Sequence, residues 1–390
     1  MSTLKVNTIR HTGASSDAVT LASDGTCTAK ITNNLSNRNL IINGAMQVAQ
    51  RGNSTSVGTS GYYGPDRFKY AEVSDAVFSI SKSTESPDGF SHSYHYDCTT
   101  ADTSVAATDY VRFLTVLEGQ DVQAFAKGTS SAKKGVLSFY VKTNKTGTYS
   151  LFYYDSDNSR QFNATYTVSD SNWNRYTIEI PADTTGALTS NNTAAIEIYW
   201  HLVAGSNRTT GSLDATWNTY TGTKEAAGHN VNFADSTSND FYITGIQLEV
   251  DSTGSGVATE FEHRSYGYEL ARCQRYFYMH LNPNHGNNLG NYYTPVCTAY
   301  YDASDSAYGV IPFPVTMRTA PDLYKVVGTN YFDLRTGGGS DGCDDVGTNR
   351  TSRTAATIYY TGNVSGTAGH GTMMRARTEE GARIGFDAEM

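Results

Sequence analysis

Aromatic residues set among polar ones are the feature of this 390-residue sequence that most directly suggests chemistry, since it contains 28 Tyr, 15 Phe and 3 Trp. The face of an aromatic ring can stack on the C–H face of a sugar while neighbouring amides bond to its hydroxyl groups. One group of rings lies in the polar stretch 203–235, and another surrounds a later loop. The candidate glycan contacts are Trp217, Tyr220, Tyr292, Tyr293, Tyr300 and Tyr301. The alternative for each tyrosine is that it packs a sheet and turns its hydroxyl group to water.

Signatures of catalysis are weak by comparison. The segment GGSDG at 338–342 matches the GxSxG pattern around Ser340, but a nucleophile elbow needs an apolar strand before it and a helix after it. Here the flanks are DLRTG and CDDVG, which indicate a flexible glycine loop. Glycoside hydrolysis needs only two carboxylates roughly 5–10 Å apart, and nothing marks such a pair among the 38 acidic residues. We therefore expect no catalytic residue and no cofactor.

Metal-binding patterns are incomplete. The segment that begins at Asp155 starts like a calcium loop, but it lacks the glycine at the sixth position and the glutamate at the twelfth. The acids of 341–345 surround Gly342, and a solvated turn is the simpler interpretation of both segments. The five cysteines stand at wide spacings without a CxxC motif, which argues against a zinc site and a disulfide framework.

Charge and hydropathy exclude two classes of partner. The formal net charge is −9, and no basic run is longer than two residues, so the sequence lacks the positive stripe that neutralises phosphates. No stretch approaches the ~18 apolar residues of a membrane span. The opening MSTLKVNTIRHTG has no apolar core of signal-peptide length. We expect synthesis in a cytoplasm, with no nucleic-acid partner and no membrane insertion.

Strand patterns dominate the elements that must position these residues. Leu137, Phe139 and Val141 alternate with polar neighbours, as do Ile196, Ile198 and Trp200, which is typical of antiparallel strands with one buried face. About ten such segments between 39 and 262 predict a jelly-roll-type β-sandwich. In DFYITGIQLEV the alternation changes phase at Gly245, which predicts a β-bulge.

One segment has helical spacing instead. Tyr266, Leu270, Cys273 and Phe277 follow one another at intervals of four, three and four, which predicts a connecting helix within 263–280. Ser265 is a suitable N-cap. Such a helix is marginal alone, so we expect its stripe to lie against the sandwich or across a three-fold axis. The polar residues expected to make contacts at this junction are Arg264, Glu269 and Arg272.

The two ends of the chain also favour β structure. Residues 1–38 contain short strand fragments separated by turns, and so small a segment cannot bury a core alone. It must pack on its own body or interleave with other subunits as an arm, unless it is disordered. Residues 281–390 show several more strand patterns and predict a small C-terminal β domain. The fold class is therefore all-β throughout.

The order of several motifs resembles a known family. NLIINGAMQVAQRG, GPDRF, VLEGQDVQAF, FYITGIQLEV and ATEFEHRSYGYELARCQRYFY follow one another as they do in tail-fibre and related virion proteins of bacteriophages. The opening MSTLKVNTIRHTGASSDAVTLASDGTCTAKIT is similar to the N-terminal arms of such proteins in marine phages. Tyr268 stands where the family usually has an acid, and PDRF replaces ADRW.

This resemblance implies a homotrimeric virion component. Its arm, 1–38, would anchor to other virion proteins, its central domain would be similar to carbohydrate-binding jelly rolls, and its C-terminal domain would face a receptor. The expected function is a tail fibre that attaches the particle to a host-surface glycan or protein. Two alternatives stay open: a capsid-attached head fibre without a receptor role, and a fibre-borne glycan depolymerase.

Overall fold

The predicted all-β fold class is confirmed, and every strand pairing in the described part of the chain is antiparallel. Within the same residues, no helix combines the length and apolar character needed to cross a membrane. The computed structural model describes residues 5–15, 17–23, 25, 27–29, 37–251, 254–282, 293–377 and 381–390.

The N-terminal arm contains a small three-stranded sheet formed by β1 (Thr8–Ile9), β2 (Val19–Leu21) and β3 (Cys27–Ala29). Ile9 of β1 is 55% exposed and Leu21 of β2 is 39% exposed, so the described side chains of these two strands bury no core of their own. The rest of the predicted arm includes 30–36, which lies outside the described residues. Anchoring to other virion proteins stays a prediction.

The sandwich consists of two sheets that share one core. The six-stranded sheet has the order β13-β10-β16-β8-β7-β4, and the seven-stranded sheet has the order β15-β12-β11-β14-β9-β6-β5. Its strands are β4 (Ser54–Val57), β5 (Gly61–Tyr62), β6 (Lys69–Val73), β7 (Val77–Ser83), β8 (Ser93–Thr100), β9 (Tyr110–Glu118), β10 (Gly135–Thr143), β11 (Gly147–Asp155), β12 (Arg160–Val168), β13 (Asn174–Ile180), β14 (Ala194–Ala204), β15 (Asn218–Thr219) and β16 (Asp240–Val250).

Aromatic rings fill the space between the two sheets. Phe113 and Trp200 of the seven-stranded sheet stack with ring centroids 5.1 Å apart, and Phe139 of the six-stranded sheet meets Trp200 edge-on at 6.0 Å. All three side chains are fully buried. The predicted phase change in β16 is confirmed, because the register with β10 shifts beside Gly245, whose φ is 63°.

The C-terminal domain has a second core between two further sheets, with Leu334, Ile358 and Phe386 among its buried side chains. The small sheet has the order β17-β26-β20, and the large one has the order β22-β21-β25-β18-β19-β24-β23. The strands are β17 (Phe277–Leu281), β18 (Tyr293–Ala303), β19 (Ser306–Pro312), β20 (Asp322–Val326), β21 (Phe332–Thr336), β22 (Gly339–Cys343), β23 (Asp345–Thr351), β24 (Ala355–Thr361), β25 (Gly371–Arg377) and β26 (Arg383–Asp387).

The connecting helix is shorter than predicted. The two α-helices of the described residues are α1 (Ser206–Thr209) and α2 (Tyr266–Gln274). Phe277 is not on the helix, because the chain there enters β17 and pairs with Asp387 of β26. The Ser265 side chain makes no capping hydrogen bond; its backbone carbonyl accepts from the Glu269 amide instead.

The buried residues of α2 are Glu269 and Cys273, whereas its first three residues are exposed. Cys273 is fully buried and Leu270 packs beside it, in a cluster with Ile42, Val48 and Tyr276. Tyr266 is 57% exposed, because the sandwich contacts the helix one turn further on. The predicted burial of Tyr266 against the sandwich is therefore wrong, and its burial in a neighbouring subunit stays a prediction.

The polar residues near α2 connect it to the start of the sandwich. The Arg264 guanidinium donates to the carbonyl oxygens of Ile41, at 3.2 Å, and Asn39. Glu269 Oε1 lies 3.7 Å from Arg264 Nη1 and 3.8 Å from Arg272 Nη1. Arg264 therefore fixes the direction in which the chain leaves the sandwich.

A second junction joins the end of β26 to the sandwich. Arg67 pairs with Glu389, and Arg51 Nη2 donates to Asp387 Oδ2 at 2.9 Å. The guanidinium of Arg51 lies 3.4 Å from the ring centroid of Phe277. Both arginines belong to the sandwich, whereas their partners belong to the C-terminal domain, so charged and aromatic contacts bind the two domains together.

Candidate functional site

The outer face of the seven-stranded sandwich sheet carries a cluster of aromatic rings. Phe152 and Tyr154 of β11 alternate with core residues, so their side chains point away from the core, and Tyr199 of β14 lies opposite Phe152. The ring centroids of Phe152 and Tyr199 are 5.5 Å apart, and Tyr220 lies 5.2 Å from Tyr154. We call Phe152, Tyr154, Tyr199 and Tyr220 the aromatic surface.

The polar segment 205–235 positions Tyr220 by folding over this face. Two buried amides of β12 hold the segment: Gln161 donates to Asp214 at 2.7 Å, and Asn163 donates to the Lys224 carbonyl at 2.6 Å. The backbone amide of Thr221 donates back to Gln161 at 2.7 Å. These bonds explain why a segment without strand patterning is well packed.

Glu225 organises the charges beside the rings. Its Oε2 accepts from Arg112 at 2.9 Å and from Arg208 at 3.0 Å, and its Oε1 accepts from the Tyr220 hydroxyl at 2.8 Å. Burial and the hydrogen bond to Glu225 raise the pKa of Tyr220 to about 12, so its hydroxyl remains a donor at neutral pH. Both oxygens of Glu225 are thus occupied by donors of the same chain.

The two arginines also hold rings in place. The Arg112 guanidinium lies 4.5 Å from the ring centroid of Tyr110 and 4.4 Å from that of Tyr199, and Arg208 lies 4.2 Å from Tyr110. Cation–π contacts of this kind are stronger when they are partly desolvated. The aromatic surface is therefore preorganised before any ligand arrives.

A cleft of about 370 Å³ opens next to Tyr220. Its volume lies within the ~300–1,000 Å³ of ordinary ligand sites. The Tyr220 ring, 38% exposed, forms one wall, while Phe152 beneath it is almost fully buried. The residues that line the cleft include Val73, Thr108, Asn207, Arg208, Tyr220 and Glu225.

Of the predicted glycan contacts, Tyr220 belongs to this site and Trp217 does not. Trp217 is 8% exposed, its indole nitrogen donates to the Pro181 carbonyl at 2.9 Å, and the Lys127 ammonium lies 5.0 Å from its ring. The ring closes the edge of the sandwich core. The segment 205–235 turns this side chain inward, and a glycan contact through Trp217 stays a prediction.

The remaining predicted contacts lie in or next to β18 of the C-terminal domain. Tyr300 is 50% exposed on the outer face, whereas Tyr301, its neighbour, is 2% exposed and faces the core. Adjacent strand residues point to opposite faces, so Tyr301 does not join Tyr300 on the outer face, and a glycan contact through Tyr301 stays a prediction. Tyr293 lies under the Arg375 guanidinium, 4.1 Å from its ring centroid, and Tyr292 lies outside the described residues.

The acidic loops are engaged within the chain. Asp155 pairs with the Lys127 ammonium, which also lies 3.1 Å from Asp183, and Asp341 accepts from the Ser365 amide at 2.7 Å. Within the described ranges, no group of three or more His, Cys, Asp or Glu side chains is arranged to hold a metal ion. Ser340 lies in the β21–β22 hairpin rather than in a strand–helix turn.

Sequence reasoning missed most of the aromatic surface. The signal was present for Phe152, Tyr154 and Tyr199, since each stands in the phase opposite to the core residues of its strand. The pairing of Arg112 with Glu225 had no such signal, because the two residues are 113 positions apart.

No family model and no curated protein matches this chain. Among solved structures, the chain is similar to the enzymatically active domain of tailspike protein 4 of Bacteriophage CBA120, with 10% identity over 52% of this chain and 22% of that one and a TM-score of 0.27. It is also similar to the family 11 carbohydrate-binding module of a Clostridium thermocellum cellulosomal cellulase, with 11% identity over 54% of this chain and 98% of that one and a TM-score of 0.27.

A third structure contains the CBM22-1 and GH10 modules of a Clostridium thermocellum endo-1,4-β-D-xylanase in complex with xylohexaose. Identity is 15% over 54% of this chain and 28% of that one, with a TM-score of 0.25. Carbohydrate-binding modules with jelly-roll folds thus recur among the similar structures, at low identity. The chain spans less than a quarter of the tailspike domain.

Proposed function

We propose that this protein is a virion fibre, most simply a tail fibre, that attaches a phage particle to a glycan on the host surface. The observation that carries glycan binding is the aromatic surface, whose exposed Tyr220 ring stands beside a cleft with charged walls. The virion role is supported by the order of motifs that resembles phage fibre proteins. On this proposal the arm, 1–38, binds other virion proteins and the fibre is a homotrimer.

Recognition would combine stacking with hydrogen bonds. A sugar ring lies its C–H face on Tyr220, while Asn207 and the outer edge of Arg208 bond to hydroxyl groups. A single site of this kind is weak. Three copies on one fibre would raise the apparent affinity, because the second and third binding events become intramolecular.

Binding is favoured over glycan hydrolysis by the state of Glu225. A hydrolase needs a carboxyl group available to protonate or attack the glycosidic bond. Both oxygens of Glu225, the carboxylate next to Tyr220 in this cleft, are held by three donors of the chain. The depolymerase remains the rival from the enzyme class, and a head fibre remains the structural rival.

The test is a glycan array followed by titration of the full chain with the best ligand. Tyr220→Ala should weaken binding about tenfold, since loss of a stacked ring costs ~1–1.5 kcal/mol. Tyr242→Ala is the matched control, because it removes a half-buried tyrosine from the outer face of the six-stranded sandwich sheet, away from the cleft, and should leave the affinity unchanged. Equal effects of both substitutions, or an array without a ligand, would contradict the glycan site.

Three further measurements distinguish the proposed trimeric tail fibre from a depolymerase and from a head fibre. Long incubation with the bound polysaccharide should release no shorter product, whereas a depolymerase would release one. A labelled antibody should mark the tail of intact particles rather than the head. Light scattering of the purified protein should give three times the chain mass of 42.3 kDa.

A further inference from the structure

A larger groove lies on the outer face of the seven-stranded C-terminal sheet, with a volume of about 670 Å³. Register places three tyrosines side by side on neighbouring strands, since Tyr300 of β18 lies opposite Tyr308 of β19, which lies opposite Tyr359 of β24. The ring centroids of Tyr308 and Tyr359 are 5.4 Å apart. Tyr300 and Tyr308 line the groove and present a ring floor that crosses two strands.

A polar row runs beside the rings. Arg350 of β23 lies opposite Thr357, which lies opposite Val310 of β19, so these three side chains share the face of the tyrosines. Arg350 and Asn349 line the groove and are exposed. Across the described ranges, neither side chain has a hydrogen-bond partner, and no carboxylate lies within 4.0 Å of Arg350.

The two ends of the groove differ in charge. Arg350 stands at one end, and Asp302 stands at the other, where its Oδ1 lies 3.5 Å from the Tyr300 hydroxyl. Three strand spacings separate β18 from β23, which corresponds to about 14 Å. The groove therefore fits a ligand of a few sugar units whose negative charge lies at the Arg350 end.

We propose that this groove binds a glycan bearing a carboxylated sugar, of the uronic or sialic acid class. The Tyr300 and Tyr308 rings stack on sugar faces, the Arg350 guanidinium pairs with the carboxylate through two parallel N–H donors, and Asn349 bonds to neighbouring hydroxyl groups. The net charge of −9 opposes general binding of polyanions. Affinity for an acidic sugar must therefore come from local contacts in the groove.

The probes are trigalacturonate and sialyllactose, each compared with its methyl ester, which keeps the sugar and removes the charge. The full chain should bind at least one of the acids. Esterification should weaken that binding about tenfold or more, because it removes a charge-assisted pair. Arg350→Gln should produce the same loss, and Tyr300→Ala should weaken binding several-fold.

Arg335→Gln is the matched control. Arg335 lies opposite Met373, which lies opposite Thr298, so it projects from the same sheet face but does not line the groove. This substitution removes one positive charge and should leave the dissociation constant within about twofold. Binding of neither acid, equal binding of acid and ester, or equal losses for the two arginine variants would each overturn the proposal.

The groove and the aromatic surface lie in different domains, so a failure of one proposed binding site can be distinguished from a failure of the other. Tyr220→Ala should leave binding of the acidic probe unchanged, and Arg350→Gln should leave binding of the array ligand unchanged if that ligand is neutral. Loss of both binding events from one substitution, in a chain that still melts cooperatively, would contradict two separate sites.

Discussion

The cleft on the sandwich and the groove on the C-terminal domain treat the arginines on their outer faces in opposite ways. On the sandwich, Arg112 and Arg208 are both bound to Glu225, under the cover of the segment 205–235. On the C-terminal domain, Arg350 and Asn349 stand open to solvent. A charge that is paired within the chain positions rings, whereas a charge left unpaired is available to a ligand.

The difference between paired and unpaired arginines also separates residues that contribute to stability from residues that are available for binding. Breaking a pair that is buried costs free energy because one partner is left desolvated and unpaired, while an exposed side chain already keeps its water. The residues around the sandwich cleft should therefore respond to mutation in the free energy of unfolding. The residues of the C-terminal groove should respond mainly in affinity.

The largest expected effect is a loss of stability at low pH. Burial lowers the pKa of His229 to about 4 in the sandwich, whereas an unfolded histidine titrates near 6.5. Below pH 6.5 the unfolded chain binds the extra proton, so stability falls with falling pH until about pH 4. The difference of about 2.5 between the pKa of His229 in the unfolded and folded chain corresponds to about 3 kcal/mol of stability. His229→Gln should remove the contribution of His229 from the unfolding free energy measured at pH 7 and pH 4.5, whereas His201, whose pKa burial also lowers, should continue to weaken the variant in acid.

All three tryptophans, Trp173, Trp200 and Trp217, belong to the sandwich, so their fluorescence reports its unfolding rather than that of the C-terminal domain. Comparison with the variant is necessary because burial raises the pKa of Asp66 and Glu389, which changes stability in the opposite sense. If wild type and variant lose the same stability between the two pH values, the burial of His229 does not control acid sensitivity.

Substitution of one arginine at each site should reveal a difference of intermediate size in the unfolding free energy. Arg112→Gln leaves Glu225 with one ionic partner fewer and uncovers the rings of Tyr110 and Tyr199. We expect a loss of about 2 kcal/mol in the unfolding free energy. Arg350→Gln should change it by less than about 0.5 kcal/mol. Denaturant unfolding followed by circular dichroism tests both, and similar losses would remove the distinction between the faces.

The smallest effect comes from two hydroxyl groups. Tyr220→Phe removes the 2.8 Å hydrogen bond to Glu225 and should cost about 1 kcal/mol. Tyr300→Phe removes only a 3.5 Å contact with Asp302 at a half-exposed site, so no measurable loss is expected. Thermal unfolding of both variants gives the comparison, and a loss at Tyr300 as large as that at Tyr220 would count against it.

Strand phase made much of the fold predictable from sequence. Alternation identified the core faces, and the phase change at Gly245 located the bulge. Helical spacing was a poorer guide, since Phe277 continued the stripe in sequence although β17 had already begun. Spacing records where residues could meet, but strand pairing with β26 decided where the helix ended.

The candidate site was less predictable because distant segments assemble it. Tyr220 was identified by its polar surroundings, and the same reasoning selected Trp217, although the covering segment directs the Tyr220 ring outward and the Trp217 ring inward. The groove depends on register between β18, β19, β24 and β23, which the sequence of any one strand does not contain.

The junction formed by Arg51, Arg67 and Glu389 has a consequence for how such a molecule would meet a surface. Because buried ions and rings fix the two domains against each other, their outer faces stay at a constant separation instead of searching independently. If both proposed glycan sites bind, a cell coat whose sugars are spaced to match would be held by both faces at once. A sparser coat would engage only one, so on this proposal the protein would discriminate by density as well as by chemistry.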